Sequence, residues 1–282
     1  ASISPASAAS SAIGSGRAHQ TPRRGALSIS SGVMNERIYI VTGASRGLGR
    51  AIAAQLLQPG HRLLTLSRRV DPTLATLAGE RGARIEAWPI DLADAPAAAA
   101  RLRGWLAERP AADAALINNA AALTTPAPLR DSALDELSIA CRVGLEAPLL
   151  LSAAFLHATA DWRTDRRVLN ISSGLGRRAM ASSAAYCAVK AGMDHFSRSL
   201  VLEQSRREAP ARMVCRAAGV IDTDMQVQLR GADPKKFPDI GNFVAMHREG
   251  RLDSPDDAAA KVLRYLARAD FGANPVADVR DA

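Results

Sequence analysis

Between Ile38 and Leu57 the chain passes from an apolar, β-branched and aromatic run, Ile38-Tyr39-Ile40-Val41, through Thr42-Gly43-Ala44-Ser45-Arg46-Gly47-Leu48-Gly49 into a helical pattern. In that pattern Leu48, Ile52, Leu56 and Leu57 recur among alanines. A strand that turns through three glycines into a helix N-terminus aims backbone N–H groups at one point, with the positive end of the helix dipole behind them. Such a turn is built to hold a phosphate. The spacing is G-x-x-x-G-x-G: Gly43 permits the tight exit from the strand, while Gly47 and Gly49 let the backbone approach a pyrophosphate and the helix pack on a sheet.

Beyond this turn, strand and helix patterns alternate, which implies one α/β domain over residues 34–282, a doubly wound parallel sheet with helices on both faces. Further strands are expected at Arg62–Ser67, Arg84–Ile90, Ala114–Ile117 and Arg167–Ile171, with others beginning at Arg212 and Pro275. Helices are expected around Ala97–Leu106, over Leu134–Ala158 with an interruption at Pro148, over Ala184–Arg207 and over Asp256–Arg268. From Asp222 to Leu252 the pattern breaks into Gly, Pro and mixed residues, including Phe237, Phe243 and Met246. A loop of that length with aromatic and Met content, following a sheet whose ligand site lies at the strand carboxyl ends, suggests a substrate lid, against the plainer reading of a floppy insertion.

Composition narrows the function classes. The 282 residues are 48% hydrophobic and 23% charged, with net charge +8. Residues 1–33 contribute Arg17, Arg23 and Arg24 and no acid, or +3; the remaining 33 basic and 28 acidic residues leave +5. Arginine is scattered near acids without aromatic interleaving, so no nucleic-acid surface is expected. No run reads as long enough to cross a bilayer, so no membrane partner is expected. Cys141, Cys187 and Cys215 have neither metal spacing nor an even count, so no metal site is expected and a reducing, cytoplasmic setting fits best. Residues 1–33, rich in Ser, Ala, Gly and Arg, read as a disordered tail or leader ahead of Met34; the same composition also fits a targeting segment.

The candidate chemistry sits at strand ends. Ser67-Arg68-Arg69 closes the second strand, where NAD-specific folds present an acid to the ribose 2′-hydroxyl. With Arg46 in the first turn, two guanidinium groups could grip a 2′-phosphate, which favours NADPH. Asp91-Leu92 closes the third strand beside the expected adenine, and Asn118-Asn119-Ala120 closes the fourth, where the amides could tie neighbouring strand ends together. Tyr186 and Lys190, at i and i+4, share one face of the second long helix, and Ser173 follows the fifth strand.

Together these residues resemble the short-chain dehydrogenase/reductase family over roughly Ile38–Val279. Thr42–Gly49 is similar to its T-G-x-x-x-G-x-G turn, Asn118-Asn119-Ala120 to its N-N-A-G stretch, and Ser173, Tyr186 and Lys190 to its serine followed by Y-x-x-x-K. The resemblance implies a single Rossmann-type domain that takes NADPH/NADP+ and a small-molecule carbonyl substrate, assembled as a homodimer or homotetramer. It implies Tyr186 as general acid, Ser173 as hydrogen-bond donor to the carbonyl, and Lys190 as the group that lowers the tyrosine pKa and holds the ribose. The cofactor contacts it implies run through Gly43, Ser45, Arg46, Gly47, Leu48, Gly49, Arg68, Asp91, Leu92, Asn118, Asn119, Ala120, Tyr186, Lys190, Val220, Ile221 and Thr223.

Departures from the family pattern are as informative as matches. Gly144 stands where the family carries an asparagine that holds a relay water, Ala121 replaces the last glycine of N-N-A-G, and Ala218 replaces a proline before Gly219. Arg216 occupies an apolar strand, which is expected either to distort locally or to supply a partner. Ile221-Asp222-Thr223-Asp224-Met225-Gln226 and the acidic C-terminal end resemble the branch containing benzil and sepiapterin reductases. That branch implies reduction of a ketone or vicinal diketone and raises Asp278 as a substrate anchor, against the plainer reading of a surface acid. The alternative to an enzyme is a catalytically weak or silent NADPH-binding module, motivated by Gly144 and the altered sixth strand.

Overall fold

A computed structural model describes residues 36–281; the reading of residues 1–33 as a tail or targeting segment lies outside them. Seven parallel strands form one sheet in the order β3-β2-β1-β4-β5-β6-β7. They are β1 (Arg37–Thr42), β2 (His61–Ser67), β3 (Arg84–Pro89), β4 (Asp113–Asn118), β5 (Arg166–Ser172), β6 (Arg212–Ala217) and β7 (Val276–Asp278). Between them run α1 (Gly47–Leu56), α2 (Pro72–Glu80), α3 (Ala95–Ala107), α4 (Leu134–Cys141), α5 (Ala147–Ala158), α6 (Ala184–Gln204), α7 (Asp224–Arg230), α8 (Ile240–Arg248) and α9 (Pro255–Ala267).

Side-chain alternation along the strands gives the sheet two apolar faces. Val41, Leu63, Ile117 and Val214 bury against Ile52 and Leu56 of α1 and Val262 of α9. Ile38, Ile40, Leu64 and Leu116, on the opposite face, bury against Leu102 of α3 and Leu151 and Phe155 of α5. This is the doubly wound architecture that the alternating pattern implies.

Three expectations need correction. Asp222–Leu252 is not a loop: α7 and α8 fill most of it, and Phe237 between them is fully buried with its ring 5.5 Å from that of Phe243. Short helices of mixed residues carry too little periodicity to be read from sequence. Pro148 does not interrupt the helix either. Arg142–Glu146 forms a π-turn whose wider hydrogen bonding, Ala147 N–H to the Arg142 carbonyl, leads directly into α5, with Pro148 in its first turn where no N–H is required.

The continuous helical stretch Leu134–Ala158 is also long and apolar enough to span a bilayer by length and composition, contrary to the reading that no run is. Its apolar character serves the core: Ala147, Leu151 and Phe155 are fully buried against the sheet and α3. Of the two outcomes open for Arg216 the structure shows the second, a partner rather than a distortion: β6 is paired to both neighbouring strands. The Arg216 guanidinium lies 4.3 Å from the centroid of the Tyr265 ring and donates to the Lys261 carbonyl at 3.2 Å.

Candidate active site

The sheet order reverses between β1 and β4, so the connections leaving these strands part in opposite directions and open a cleft at their carboxyl ends. The cleft encloses about 1640 Å³. One wall begins with the turn after β1. Gly43 and Gly47 take φ of +71° and +53°, and a Cβ on Gly49 would lie 2.2 Å from the Gly43 carbonyl oxygen, so only glycine fits there. No side chain caps the N-terminus of α1 and no acid occupies its first turn. Its leading N–H groups therefore face the cleft as an uncompensated positive end, a cradle that suits a phosphate or pyrophosphate.

The strand-end amides do tie the strands together. The Thr42 hydroxyl accepts from the N–H of Asn119 at 2.9 Å and of Ala120 at 3.0 Å, and Asn119 Nδ2 returns to the Thr42 carbonyl at 2.9 Å. Asn118 points the other way because adjacent residues at a strand end alternate faces. It does not line the cleft as a cofactor contact would: its Nδ2 donates to Asn170 Oδ1 at 2.8 Å and Ser152 Oγ at 3.2 Å, joining β4 to β5 and α5. Ser45, Arg46, Leu48, Arg68, Asp91, Leu92, Ala120, Val220, Ile221 and Thr223 all line the cleft, as do Ser173, Tyr186 and Lys190.

The two-arginine grip is not free as drawn from sequence. Arg46 Nη1 is paired to Asp224 Oδ2 at 2.7 Å, both side chains largely exposed, whereas Arg68 has no ion pair among the described residues. A Cβ on Gly47 would sit 3.3 Å from Thr223 Cγ2, so the turn leading into α7 closes over the turn leading into α1.

Ser172 and Ser173 alternate in the same way. Ser172 Oγ is buried and donates to Asp194 Oδ1 at 2.6 Å, while the Ser173 hydroxyl accepts from the Leu175 N–H at 3.2 Å and lines the cleft with Tyr186. Burial raises the phenol above its ordinary value near 10, with the neighbouring Ser173 hydroxyl opposing. Lys190 Nζ lies 5.7 Å from the Tyr186 ring centroid and donates to the Ile171 carbonyl at 2.7 Å. Lys190 is itself 2% exposed, and burial brings its ammonium down to about 8, with Cys215 and Asp194 opposing.

Behind Lys190 lies a buried polar group that sequence reasoning missed. Arg177 donates to Asp194 Oδ2 at 3.0 Å, to the Ala277 carbonyl at 2.9 Å and to Asp278 Oδ2 at 3.4 Å. Asp194, one turn beyond Lys190 on α6, could have been found by its spacing; nothing in the sequence marks Arg177. Asp278 is not the surface acid that the plainer reading made it. It is buried, and the Arg280 guanidinium, bonded at 2.7 and 2.6 Å, holds its carboxyl down to about 2. Gly144 is likewise more than a missing asparagine: a Cβ there would lie 2.6 Å from Val189 Cγ1, so the glycine lets the π-turn press against α6 beside Lys190.

The chain is similar to known proteins in sequence and fold. The family model for short chain dehydrogenase matches residues 37–233. The benzil reductase ((S)-benzoin forming) of Bacillus subtilis (strain 168) is 35% identical over 231 residues, covering 82% of this chain and 93% of its own. The sepiapterin reductase of Xenopus tropicalis is 32% identical over 251 residues, covering 84% and 93%. A crystal structure of a metagenomic short-chain oxidoreductase in complex with NADP is 27% identical with a TM-score of 0.66, covering 87% of this chain and 96% of that one. With the doubly wound sheet, the glycine turn and the Ser173–Tyr186–Lys190 set in one cleft, the chain belongs to the short-chain dehydrogenase/reductase family, on the branch that includes benzil and sepiapterin reductases.

Proposed function

We propose that the protein is an NADPH-dependent carbonyl reductase that converts a ketone or vicinal diketone to the alcohol, with Tyr186 as general acid. The observation that carries this reading is that Tyr186, Ser173 and Lys190, the last one helical turn from the tyrosine, line the same cleft as a glycine cradle suited to pyrophosphate. The relative named benzil reductase and the relative crystallised with NADP support it.

In this reading the leading N–H groups of α1 bind the pyrophosphate and Arg68 binds the 2′-phosphate. Bound NADPH supplies the hydride to the carbonyl carbon. Ser173 donates a hydrogen bond to the carbonyl oxygen, stabilising the negative charge that develops there. Tyr186 delivers its proton to the same oxygen, and its raised pKa keeps the phenol protonated and ready as an acid at neutral pH. Lys190 holds the ribose and presents positive charge at that end of the cleft below about pH 8. With Gly144 supplying no side chain, Tyr186 regains its proton through solvent and backbone groups.

The test is NADPH absorbance loss with benzil, run beside NADH. The proposal expects turnover with at least roughly tenfold preference for NADPH, the value of about 1.4 kcal/mol from one charge-assisted contact to the phosphate. Equal use of both cofactors would remove the phosphate grip, and no turnover of benzil or other ketones despite cofactor binding would favour the silent module.

A further inference from the structure

The reductase reading uses Ser173, Tyr186 and Lys190 and leaves one buried acid beside them without a role. Asp194 lies on α6 one turn beyond Lys190, is 2% exposed and is not among the residues that line the cleft. Burying a carboxylate is unfavourable unless it is paired and hydrogen-bonded, and this one is both. Its Oδ1 accepts from Ser172 Oγ at 2.6 Å and its Oδ2 from Arg177 Nε at 3.0 Å.

Those two donors bracket the turn that carries Ser173. Ser172 is the last residue of β5, Gly174–Gly176 form a single 3-10 turn, and Arg177 follows at once. One carboxylate on α6 therefore fastens the turn at both ends. The turn lies directly on that helix, since a Cβ on Gly176 would come within 2.9 Å of the Lys190 carbonyl oxygen and 3.1 Å of Asp194 Oδ2. Inside it the Ser173 hydroxyl accepts from the Leu175 N–H at 3.2 Å, which leaves its own proton to be donated into the cleft. Just ahead of it, the Ile171 carbonyl accepts from Lys190 Nζ at 2.7 Å.

We propose that Asp194 is a positioning residue for the reduction, fixing the 172–177 turn from behind so that the Ser173 hydroxyl is held for the carbonyl oxygen. It touches neither substrate nor cofactor and acts through Ser173. The inference rests on the reductase reading, and it adds to that reading the group that sets the hydrogen-bond donor in place.

The test is a double-mutant cycle in the full chain. Wild type, Asp194→Ala, Ser173→Ala and the pair are assayed for benzil reduction with NADPH, and NADP+ affinity and melting temperature are measured alongside. A displacement of about 1 Å at the reacting atoms costs about 10²-fold in rate, so Asp194→Ala should lower kcat by roughly 10- to 100-fold. KM and NADP+ affinity should stay within about threefold, because what is lost is alignment in the transition state. In the Ser173→Ala background the same substitution should cost less than about threefold, since the group it positions is already gone. Asp194→Asn, whose amide can pair with both Ser172 and Arg177, should recover most of the lost kcat. Arg177→Met releases only the far end of the turn and should show a smaller loss of kcat with the same non-additivity; it carries the test if Asp194→Ala does not fold.

Equal losses of kcat in the two backgrounds overturn the proposal, because a general structural defect is additive with the loss of Ser173. So does a folded Asp194→Ala with wild-type kcat, or, where that variant does not fold, an Arg177→Met with wild-type kcat. A kcat for Asp194→Asn as low as for Asp194→Ala overturns it too, since charge and not the two bonds would then matter, and a Ser173→Ala variant as active as wild type would leave Asp194 nothing to position. Each of these results leaves wild-type turnover in place and removes this inference alone; a wild type that reduces no ketone overturns the reductase reading and this inference with it.

Discussion

Arg46 has two competing partners, the Asp224 carboxylate that holds it at 2.7 Å and the 2′-phosphate of the proposed cofactor. Exposed ion pairs of this kind are worth about 0–1 kcal/mol, so Asp224 weakens the phosphate grip without abolishing it. Asp224→Asn should therefore tighten NADPH up to about fivefold and leave NADH nearly unchanged, as read by titration of each cofactor. Unchanged or weaker NADPH binding would mean that Arg46 does not serve the phosphate.

Lys190 carries the clearest electrostatic strain. An unfolded chain keeps the lysine proton to about 10.5, while the folded chain releases it near 8, so between those values the unfolded state binds more protons and raising the pH stabilises the fold. Below pH 8 both states are charged and the full penalty of burial is present, about 3 kcal/mol before the lost bond to the Ile171 carbonyl is counted. Lys190→Met should be more stable than wild type at pH 7 by roughly 1–3 kcal/mol in denaturant melts, with the gap closing toward pH 10. A variant less stable at pH 7 would show that the lysine's contacts outweigh its desolvation.

At the scale of elements, Gly144 shows how far a sequence comparison reaches. A motif alignment identifies it as a missing asparagine, whereas the packing shows a contact that any side chain would break against the stiff, β-branched Val189 on α6. Restoring the family residue with Gly144→Asn should therefore destabilise the protein by roughly 1–3 kcal/mol without raising kcat. A stable, faster variant would show that the π-turn adapts and that the relay side chain was the limiting part.

The strands and the long helices were legible because apolar periodicity is local, and most of their ends fall within a few residues of the expected places. The helices α7 and α8 were not, since their short segments bury residues such as Phe237 through tertiary contacts that no local pattern announces. Pro148 misled for a related reason: a proline reads as a break unless the preceding turn widens to accept it, and the π-turn does so.

At the scale of the molecule, the glycine turn, the strand ends and the α6 helix meet in one cleft because the sheet reverses its order between β1 and β4. This was readable: strand alternation and ordered motifs are enough to bring residues 43, 173 and 186 together. The group around Arg177 was not, because it joins residues about a hundred positions apart, and only the folded chain places Asp194 and Asp278 around one guanidinium. Its position behind Lys190 ties the C-terminal strand β7 to the helix that carries Tyr186.

The central claim is that this cleft performs acid-assisted hydride transfer, and Tyr186→Phe tests it most directly. The substitution keeps the ring and removes only the proton donor. The measurement is kcat for benzil reduction, with NADPH affinity determined by titration on the same preparations. The account predicts that kcat falls by about 10²-fold or more, the scale of a lost general acid, while NADPH affinity stays within about threefold. Turnover in the variant equal to that of the wild type, with the cofactor bound in both, would contradict it.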